Sequence, residues 1–121
     1  EDDSLVLVAS IAMLRRELPP EPDDAEEVVD GPRLSLAVPG ARGRAAHDGD
    51  WLGLHAIGTD PAHRRRGLAQ QVLSGLLGWG AERGARSAYL QTHAANVPAM
   101  ALYERLGFVT HHAYRYLVPP S

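Results

Sequence analysis

The feature of this sequence that most restricts its fold is the run HRRRGLAQ, from His63 to Gln70, together with the segments on either side of it. The preceding segment, Trp51 to Thr59, has the residue types and length of a strand and ends at Asp60-Pro61. In the following segment, Gly67 to Arg83, apolar residues recur at helical spacing. The sequence therefore predicts a strand, an arginine-rich loop and an amphipathic helix in direct succession.

The arginine-rich loop has the residue types of a site for a diphosphate. Glycine lets the backbone approach a ligand closely, arginines supply positive charge, and the first amides of the following helix donate hydrogen bonds at the positive end of the helix dipole. The residues that would form this site are Arg64, Arg65, Arg66, Gly67, Leu68, Ala69 and Gln70. The alternative is a solvated turn, which is the more usual role of an arginine run before a helix.

The N-terminal part of the chain is expected to form a strand and a helix followed by a linker. Leu5 to Val8 is a short apolar run, and Ser10 can cap a helix that ends at the proline-rich residues 19–24. We therefore divide the chain into residues 1–30, interpreted as a possible remnant of a longer chain, and a domain over residues 31–121.

The domain over residues 31–121 alternates strands and helices after an antiparallel meander. The predicted elements are strands over 33–38, 42–46 and 51–59, a helix over 67–83, a strand over 87–92, a helix ending at 106 and a strand over 109–118. This order predicts an α/β (α+β) fold with a sheet of mixed direction flanked by helices.

Two motifs in this domain resemble the GNAT superfamily of acetyl-CoA-dependent N-acetyltransferases. The family's Q/R-x-x-G-x-G/A loop, which grips the coenzyme A pyrophosphate, matches Arg64-x-x-Gly67-x-Ala69. A later signature, N-x-x-A-x-x-L-Y-x-x-x-G-F, matches at Asn96, Ala99, Leu102, Tyr103, Gly107 and Phe108. The stretch GWGAERGARSAYLQ and the tail HHAYRY are most similar to actinobacterial proteins with such a domain at their C-terminal end. The resemblance implies a mostly antiparallel sheet with an acetyl-CoA cleft at a splayed central strand.

The resemblance also implies residues that contact the cofactor. The backbone of Ile57, Gly58 and Thr59 would pair with the pantetheine arm, and the amide near Ile57 or Gly58 would hold the developing oxyanion. A glycine is reasonable there because it tolerates bulges and close approach. The alternative is that Gly58 merely weakens a strand end. By the same resemblance, Asn96 hydrogen-bonds the cofactor.

Tyr103 is the residue that the resemblance implies as the general acid. It follows Asn96 by seven residues, or two helical turns, so both side chains can face one groove. A phenol with an ordinary pKa of about 10 can protonate a departing thiolate of comparable basicity. The alternative role is packing beside Leu102 and Leu106.

The general base is expected to be His55. The stretch LHAIG before the arginine loop resembles arylalkylamine N-acetyltransferases, in which a histidine nine residues before the loop helps to take the amine proton, and His55 precedes Arg64 by nine. An imidazole exchanges protons near neutral pH, which suits this role. His93, at the end of the next strand, is a second candidate, and a structural histidine is the alternative.

Composition excludes several classes of protein. The chain of 121 residues has a formal net charge of −3, which argues against a general nucleic-acid binder. It has no cysteine, and its histidines lack the paired spacing of a metal site, so we assign no metal. No apolar run reaches the roughly 18 residues of a membrane span. We expect a cytoplasmic monomer or homodimer that binds neither nucleic acid nor membrane.

These expectations combine into an N-acetyltransferase that transfers the acetyl group of acetyl-CoA directly to a small-molecule or peptide amine. The rival is a degenerate acyl-CoA-binding regulatory module without turnover. In the family, two helices between the first and second strands form most of the acceptor site, and this chain has little room for them before Arg33. We therefore expect native residues to be missing, either between about Val29 and Arg33 or before Glu1.

Overall fold

A computed structural model describes residues 4–63 and 67–113, with only the backbone described at His63, His112 and Ala113. In this part of the chain, seven strands form one sheet with three α-helices packed against it. The strands are β1 (Ser4–Ser10), β2 (Glu26–Asp30), β3 (Arg33–Val38), β4 (Ala41–Asp48), β5 (Trp51–Thr59), β6 (Ser87–His93) and β7 (Val109–Ala113). The helices are α1 (Ile11–Glu17), α2 (Leu68–Glu82) and α3 (Val97–Leu106).

The sheet has the strand order β2-β3-β4-β5-β6-β1-β7, and all of its neighbouring strands are antiparallel except β5 and β6. This confirms the predicted α+β architecture and the meander of three strands before the arginine loop. The parallel pair is a consequence of α2, which crosses over from the end of β5 to the start of β6.

The N-terminal residues belong to the same sheet and core. β1 lies between β6 and β7, and Leu7 and Leu14 are completely buried in the shared hydrophobic cluster. The Ser10 side chain accepts a hydrogen bond from the Met13 amide at 3.4 Å, which confirms its predicted capping role. β1 and β2 thus belong to the same sheet as β3 to β7, and the division of the chain at residue 30 stays a prediction.

β2 and β3 form a hairpin in which Asp30 pairs with Arg33. Gly31 and Pro32 make the turn, and Gly31 has a φ of 61°, which glycine adopts without strain. This turn joins the two strands directly.

α2 packs on β3, β4 and β5 and forms the centre of the core. Alternate residues of β3 (Leu34, Leu36 and Val38) are buried, whereas Arg33 and Ser35 between them are exposed. The sheet therefore has an apolar face under α2 and an opposite face that is open along β3 and β4. With 15 residues α2 is the longest described helix, and none of the helices in the described ranges has the length and apolarity to cross a bilayer.

Both ends of α2 and the C-terminal end of α3 agree with the predicted ends to within about one residue. Gly67 is the N-cap of α2, and Asn96 is the N-cap of α3. Gly107 ends α3 with a φ of 114°, in the left-handed region. β7 is described as far as Ala113, and the predicted continuation of this strand to Val118 lies outside the described residues.

Candidate functional site

A cleft opens where β5 and β6 separate. The two strands pair over only four residues each, from Trp51 opposite Ser87 to Leu54 opposite Leu90. Beyond Leu54, β5 stays paired with β4 as far as Thr59, but it has no partner on its other edge among the described strands. The resulting cleft has a volume of about 360 Å³. This separation is the splayed central strand that the sequence predicted.

A bulge in β5 lies beside the cleft. Arg44 is opposite His55 and Arg42 is opposite Gly58, so β5 has one residue more than β4 between these pairs. Ala56 has a φ of 53°, a left-handed conformation that residues with a side chain rarely adopt. Gly58 does not have a positive φ, and a Cβ there would meet no neighbouring atom. Ala56, and not Gly58, therefore adopts the left-handed conformation at the bulge, and the role of Gly58 in cofactor binding stays a prediction.

The bulge also changes which residues of β5 face the core. A Cβ added at Gly43 would lie 2.8 Å from a Val72 side-chain atom and 3.1 Å from an Ile57 side-chain atom, so Ile57 and Val72 meet on the α2 side of the sheet. His55 is exposed, and its cross-strand partner Arg44 is exposed as well. His55 and Ile57 thus point to opposite faces, although strict alternation would place them on the same one.

The cleft has apolar and polar walls. Leu54, Leu90 and Ala99 contribute apolar surface. The polar side chains that line it are those of His55, Gln91, Thr92, His93, Asn96 and Tyr103. Among the described residues that line the cleft there is no carboxylate, and the imidazoles there are those of His55 and His93.

Tyr103 reaches the cleft from α3. The residue is only 9% exposed, and its ring packs edge-on against Phe108 with the ring centroids 5.6 Å apart. Burial raises the pKa of the Tyr103 phenol above its ordinary value of 10.0, because desolvation disfavours the phenolate. Asn96 and Tyr103 both line this cleft, and their roles there stay predictions.

Asn96 has part of its hydrogen-bonding capacity used by the helix itself. Its Oδ1 accepts a hydrogen bond from the Ala99 amide at 3.4 Å, which caps α3. Its Nδ2 group makes no hydrogen bond within the described residues, so two donors remain for a ligand.

His55 lines the cleft from the face of the sheet opposite α2, and the neighbouring Gly53 leaves room for its side chain. A Cβ added at Gly53 would lie 3.1 Å from His55 Nε2 and 2.8 Å from the Tyr89 hydroxyl oxygen. The hydroxyl and the imidazole are therefore within about 6 Å of each other, over a backbone position that only glycine leaves open. The proximity of Gly53 and Tyr89 results from their register between β5 and β6, so no local pattern in the sequence signals it.

The N-terminus of α2 is the predicted phosphate site. Gly67 precedes the helix with a φ of 70°, and the amides of the first helical turn have no partner within the helix. The side chains of Leu68, Ala69 and Gln70 are half-buried, so these residues would meet an anion through their backbone. A Cβ at Gly67 would contact no described atom, so the need for glycine is conformational. Arg64, Arg65 and Arg66 lie outside the described residues.

Comparison with known proteins identifies similar chains. A family model described as "Probable histone acetyltransferase Rv0428c C-terminal" matches residues 10–117. The probable histone acetyltransferase Rv0428c of Mycobacterium tuberculosis is 40% identical over 97 residues, which cover 78% of this chain and 32% of that protein. The ribosomal protein bS18 alanine N-acetyltransferase of Escherichia coli is 40% identical over 55 residues, covering 46% of this chain and 37% of the enzyme. The chain thus spans about a third of the length of these relatives.

Solved structures share the fold. The aminoglycoside N-acetyltransferase AAC(6')-Iy in complex with CoA superposes with a TM-score of 0.64 and 21% sequence identity, over 69% of this chain and 74% of that one. At this identity the comparison establishes the architecture, and it agrees with the α+β fold predicted from the sequence.

Proposed function

This chain is a member of the GNAT acetyltransferases, in the family of the Rv0428c C-terminal domain, and from that membership we propose that it transfers the acetyl group of acetyl-CoA to a primary amine by direct attack. The activity requires a site for the coenzyme, a proton acceptor for the amine and a proton donor for the leaving thiolate. The cleft between β5 and β6 has candidates for all three.

The observation that supports this proposal best is that His55 and Tyr103 reach one cleft from opposite faces of the sheet. His55 is on the exposed face of β5, and Tyr103 comes from α3, which packs in the core on the other side. In the tetrahedral intermediate of acyl transfer, the attacking nucleophile and the leaving group lie on different sides of the former carbonyl carbon. A base on one side and an acid on the other match this geometry.

Acetyl-CoA would lie along the free edge of β5. Beyond Leu54 this edge has backbone groups without a strand partner, and an extended pantetheine arm can hydrogen-bond to them as an added strand does. We assign this contact to Ile57, Gly58 and Thr59. The pyrophosphate would meet the helix N-terminus at Gly67 to Gln70 and the side chains of Arg64, Arg65 and Arg66. Asn96 would donate from Nδ2.

The proposed reaction proceeds through one tetrahedral intermediate. His55 takes a proton from the amine, directly or through water, as the nitrogen attacks the thioester carbonyl. A backbone amide near Ile57 or Gly58 stabilises the oxyanion. Collapse of the intermediate breaks the carbon–sulfur bond, and Tyr103 gives its proton to the sulfur. The products are the acetamide and coenzyme A with a free thiol, and the protein needs no metal for any of these steps.

The acceptor is proposed as a small-molecule or peptide amine. The names of the relatives span this range, since one is described as a probable histone acetyltransferase and another as acting on an alanine of ribosomal protein bS18. An aminoglycoside acetyltransferase shares the fold.

A second candidate is an acyl-CoA-binding module without turnover. The observation that favours it is the lack of a carboxylate in the described lining of the cleft. Two measurements on the same preparation separate the candidates: calorimetric titration with acetyl-CoA, and release of the coenzyme A thiol in the presence of a panel of primary amines. We expect saturable binding together with amine-dependent thiol release and an acetylated product by mass spectrometry. Binding without amine-dependent release would support the module instead.

A further inference from the structure

A groove continues from the cleft across the open face of the sheet. Two cavities of about 500 and 250 Å³ lie along β2, β3 and β4. They share the walls formed by Val28, Ser35 and Arg44, so they are parts of one groove. His55 lines both the larger cavity and the acetyl-CoA cleft. A molecule in this groove therefore reaches the proposed base from the side opposite Tyr103.

Two arginines that form no ion pair among the described residues line the larger cavity, and one of them, Arg33, lies directly opposite Asp30 across β2 and β3. Arg33 and Arg44 are exposed and form no ion pair within the described ranges 4–63 and 67–113. The neighbouring Arg42 differs, since it pairs with Asp60 at 3.5 Å. Asp30 is the carboxylate in the same wall. The larger cavity thus has two guanidinium groups against one carboxylate, and the smaller cavity adds Arg42 and the carboxylate of Glu26.

Arg44 is also in register with the proposed base. It lies directly opposite His55 across β4 and β5, and directly opposed side chains have Cβ atoms about 4.5–5.5 Å apart. One small molecule can therefore place an amine at the imidazole and a second group at the guanidinium. A guanidinium recognises carboxylate and phosphate oxygens through paired hydrogen bonds.

We propose that this groove is the acceptor site and that the acceptor is a primary amine that also has an anionic group, carboxylate or phosphate, bound by Arg44 with support from Arg33. This proposal rests on the proposed acetyltransferase function. Val28 and Ala46 provide apolar walls for the carbon chain between the two groups. Asp30 disfavours a second anionic group at the outer end of the cavity.

Matched pairs of amines test the proposal. The pairs are β-alanine with β-alaninamide and phosphoethanolamine with ethanolamine, so that the carboxylate and the phosphate are tested separately. We expect kcat/KM to favour the anionic member of at least one pair by about 10-fold or more, since charge-assisted bidentate hydrogen bonds are the strong ones. In the Arg44→Gln variant, the ratio of kcat/KM for the anionic amine to kcat/KM for the neutral amine should fall close to one. Arg16→Gln, an exposed arginine of α1, is the control and should keep the ratio.

A binding measurement keeps this proposal separate from the proposed function. β-Alanine and phosphoethanolamine are titrated into the protein saturated with coenzyme A, and the same titrations are made with Arg44→Gln. Loss of anionic-amine binding in the Arg44→Gln variant supports the acceptor site even if no amine is acetylated. The absence of acetylation would contradict only the proposed enzymatic function. A preference for the neutral amines, or an Arg44→Gln variant with an unchanged ratio and unchanged binding, would overturn the proposal.

Discussion

Tyr103 is the proposed general acid, and its burial keeps the phenol in its protonated form. Its hydroxyl lines the cleft while most of its ring is packed against Phe108 and the core, and desolvation raises its pKa. The phenol is therefore protonated throughout the neutral range and can give its proton to a departing thiolate.

Replacement of Tyr103 by phenylalanine removes the proton donor and keeps the ring. We expect kcat to fall about 100-fold and the dissociation constant of acetyl-CoA to change little, since the lost interaction is made mainly as the thiolate leaves. Initial rates and calorimetric titration of the same variant measure the two quantities. Equal losses in turnover and in affinity would assign Tyr103 to packing.

The raised pKa of Tyr103 also predicts how stability depends on pH. The folded state holds this proton more tightly than the unfolded chain, whose tyrosine has its ordinary pKa of 10.0. The stability that this difference in pKa contributes is therefore fully present below about pH 10. It is lost as the pH rises through the pKa of Tyr103 in the folded state. Urea unfolding from about pH 9 to 11 should show that the free energy of unfolding falls more steeply with pH for the wild type than for Tyr103→Phe. Parallel declines would contradict this prediction.

The substitution Gly53→Ala tests whether the position of the His55 side chain affects turnover. A Cβ at residue 53 would come within 3.1 Å of His55 Nε2 and 2.8 Å of the Tyr89 hydroxyl, so Gly53→Ala must displace these groups. We expect kcat to fall roughly 10-fold, as a misplaced general base does. In a His55→Ala background the same substitution should have little further effect, because coupled residues are not additive. Additive losses would show that Gly53 acts independently of His55.

At the scale of elements, the N-terminus of α2 is the part of the site that depends most on local backbone conformation. Gly67 adopts a φ of 70° and Gly84, beyond the other end of the helix, adopts 91°. Among the described residues, no atom lies within 4 Å of a Cβ added at either position, so a side chain at each glycine would cost conformational strain and no clash.

This pair gives a matched test of the phosphate site. Gly67→Val and Gly84→Val should both lower the free energy of unfolding by about 1–2 kcal/mol, the cost of a left-handed conformation with a side chain. Only Gly67→Val should also weaken coenzyme A binding, by about 2 kcal/mol or roughly 30-fold. Unfolding curves and calorimetry measure both. Similar coenzyme A affinities in the two variants would exclude the α2 N-terminus as the pyrophosphate site.

Elements defined by local signals were predictable from the sequence, and the distorted strand was not. Ser10, Gly67, Asn96 and Gly107 mark helix ends through caps that involve only nearby residues, so the predicted ends agree with the structure. The left-handed conformation of Ala56 results from the pairing of β5 with β4, and alanine is not a residue type that signals it.

At the scale of the whole molecule, β1 completes the sheet. It pairs with β6 over seven residues and with β7 on its other side. The sequence identified β1 as a strand but did not predict its position, because a strand's neighbours depend on contacts distant in sequence. The groove over β2 to β4 was equally unpredictable, since it combines Asp30, Arg33, Arg44 and His55 from four strands.

The central position of β1 predicts that truncation of its buried residues is costly. Leu7 is fully buried in the core between β6 and β7, so Leu7→Ala should lower the free energy of unfolding by about 2–5 kcal/mol. Met13 of α1 is 58% exposed, and Met13→Ala should change this free energy by about 0.5 kcal/mol or less. Denaturant titrations of both variants compare them. A mild effect of Leu7→Ala would mean that residues 4–10 are dispensable for the fold.

The most direct test of the proposed mechanism is a crystal structure of this chain with coenzyme A bound. The mechanism predicts the pantetheine arm along residues 57–59 of β5, the pyrophosphate at the amides of Gly67 to Gln70, and the sulfur within hydrogen-bonding distance of the Tyr103 hydroxyl. Coenzyme A bound away from the gap between β5 and β6, or bound there with its sulfur remote from Tyr103, would contradict the mechanism.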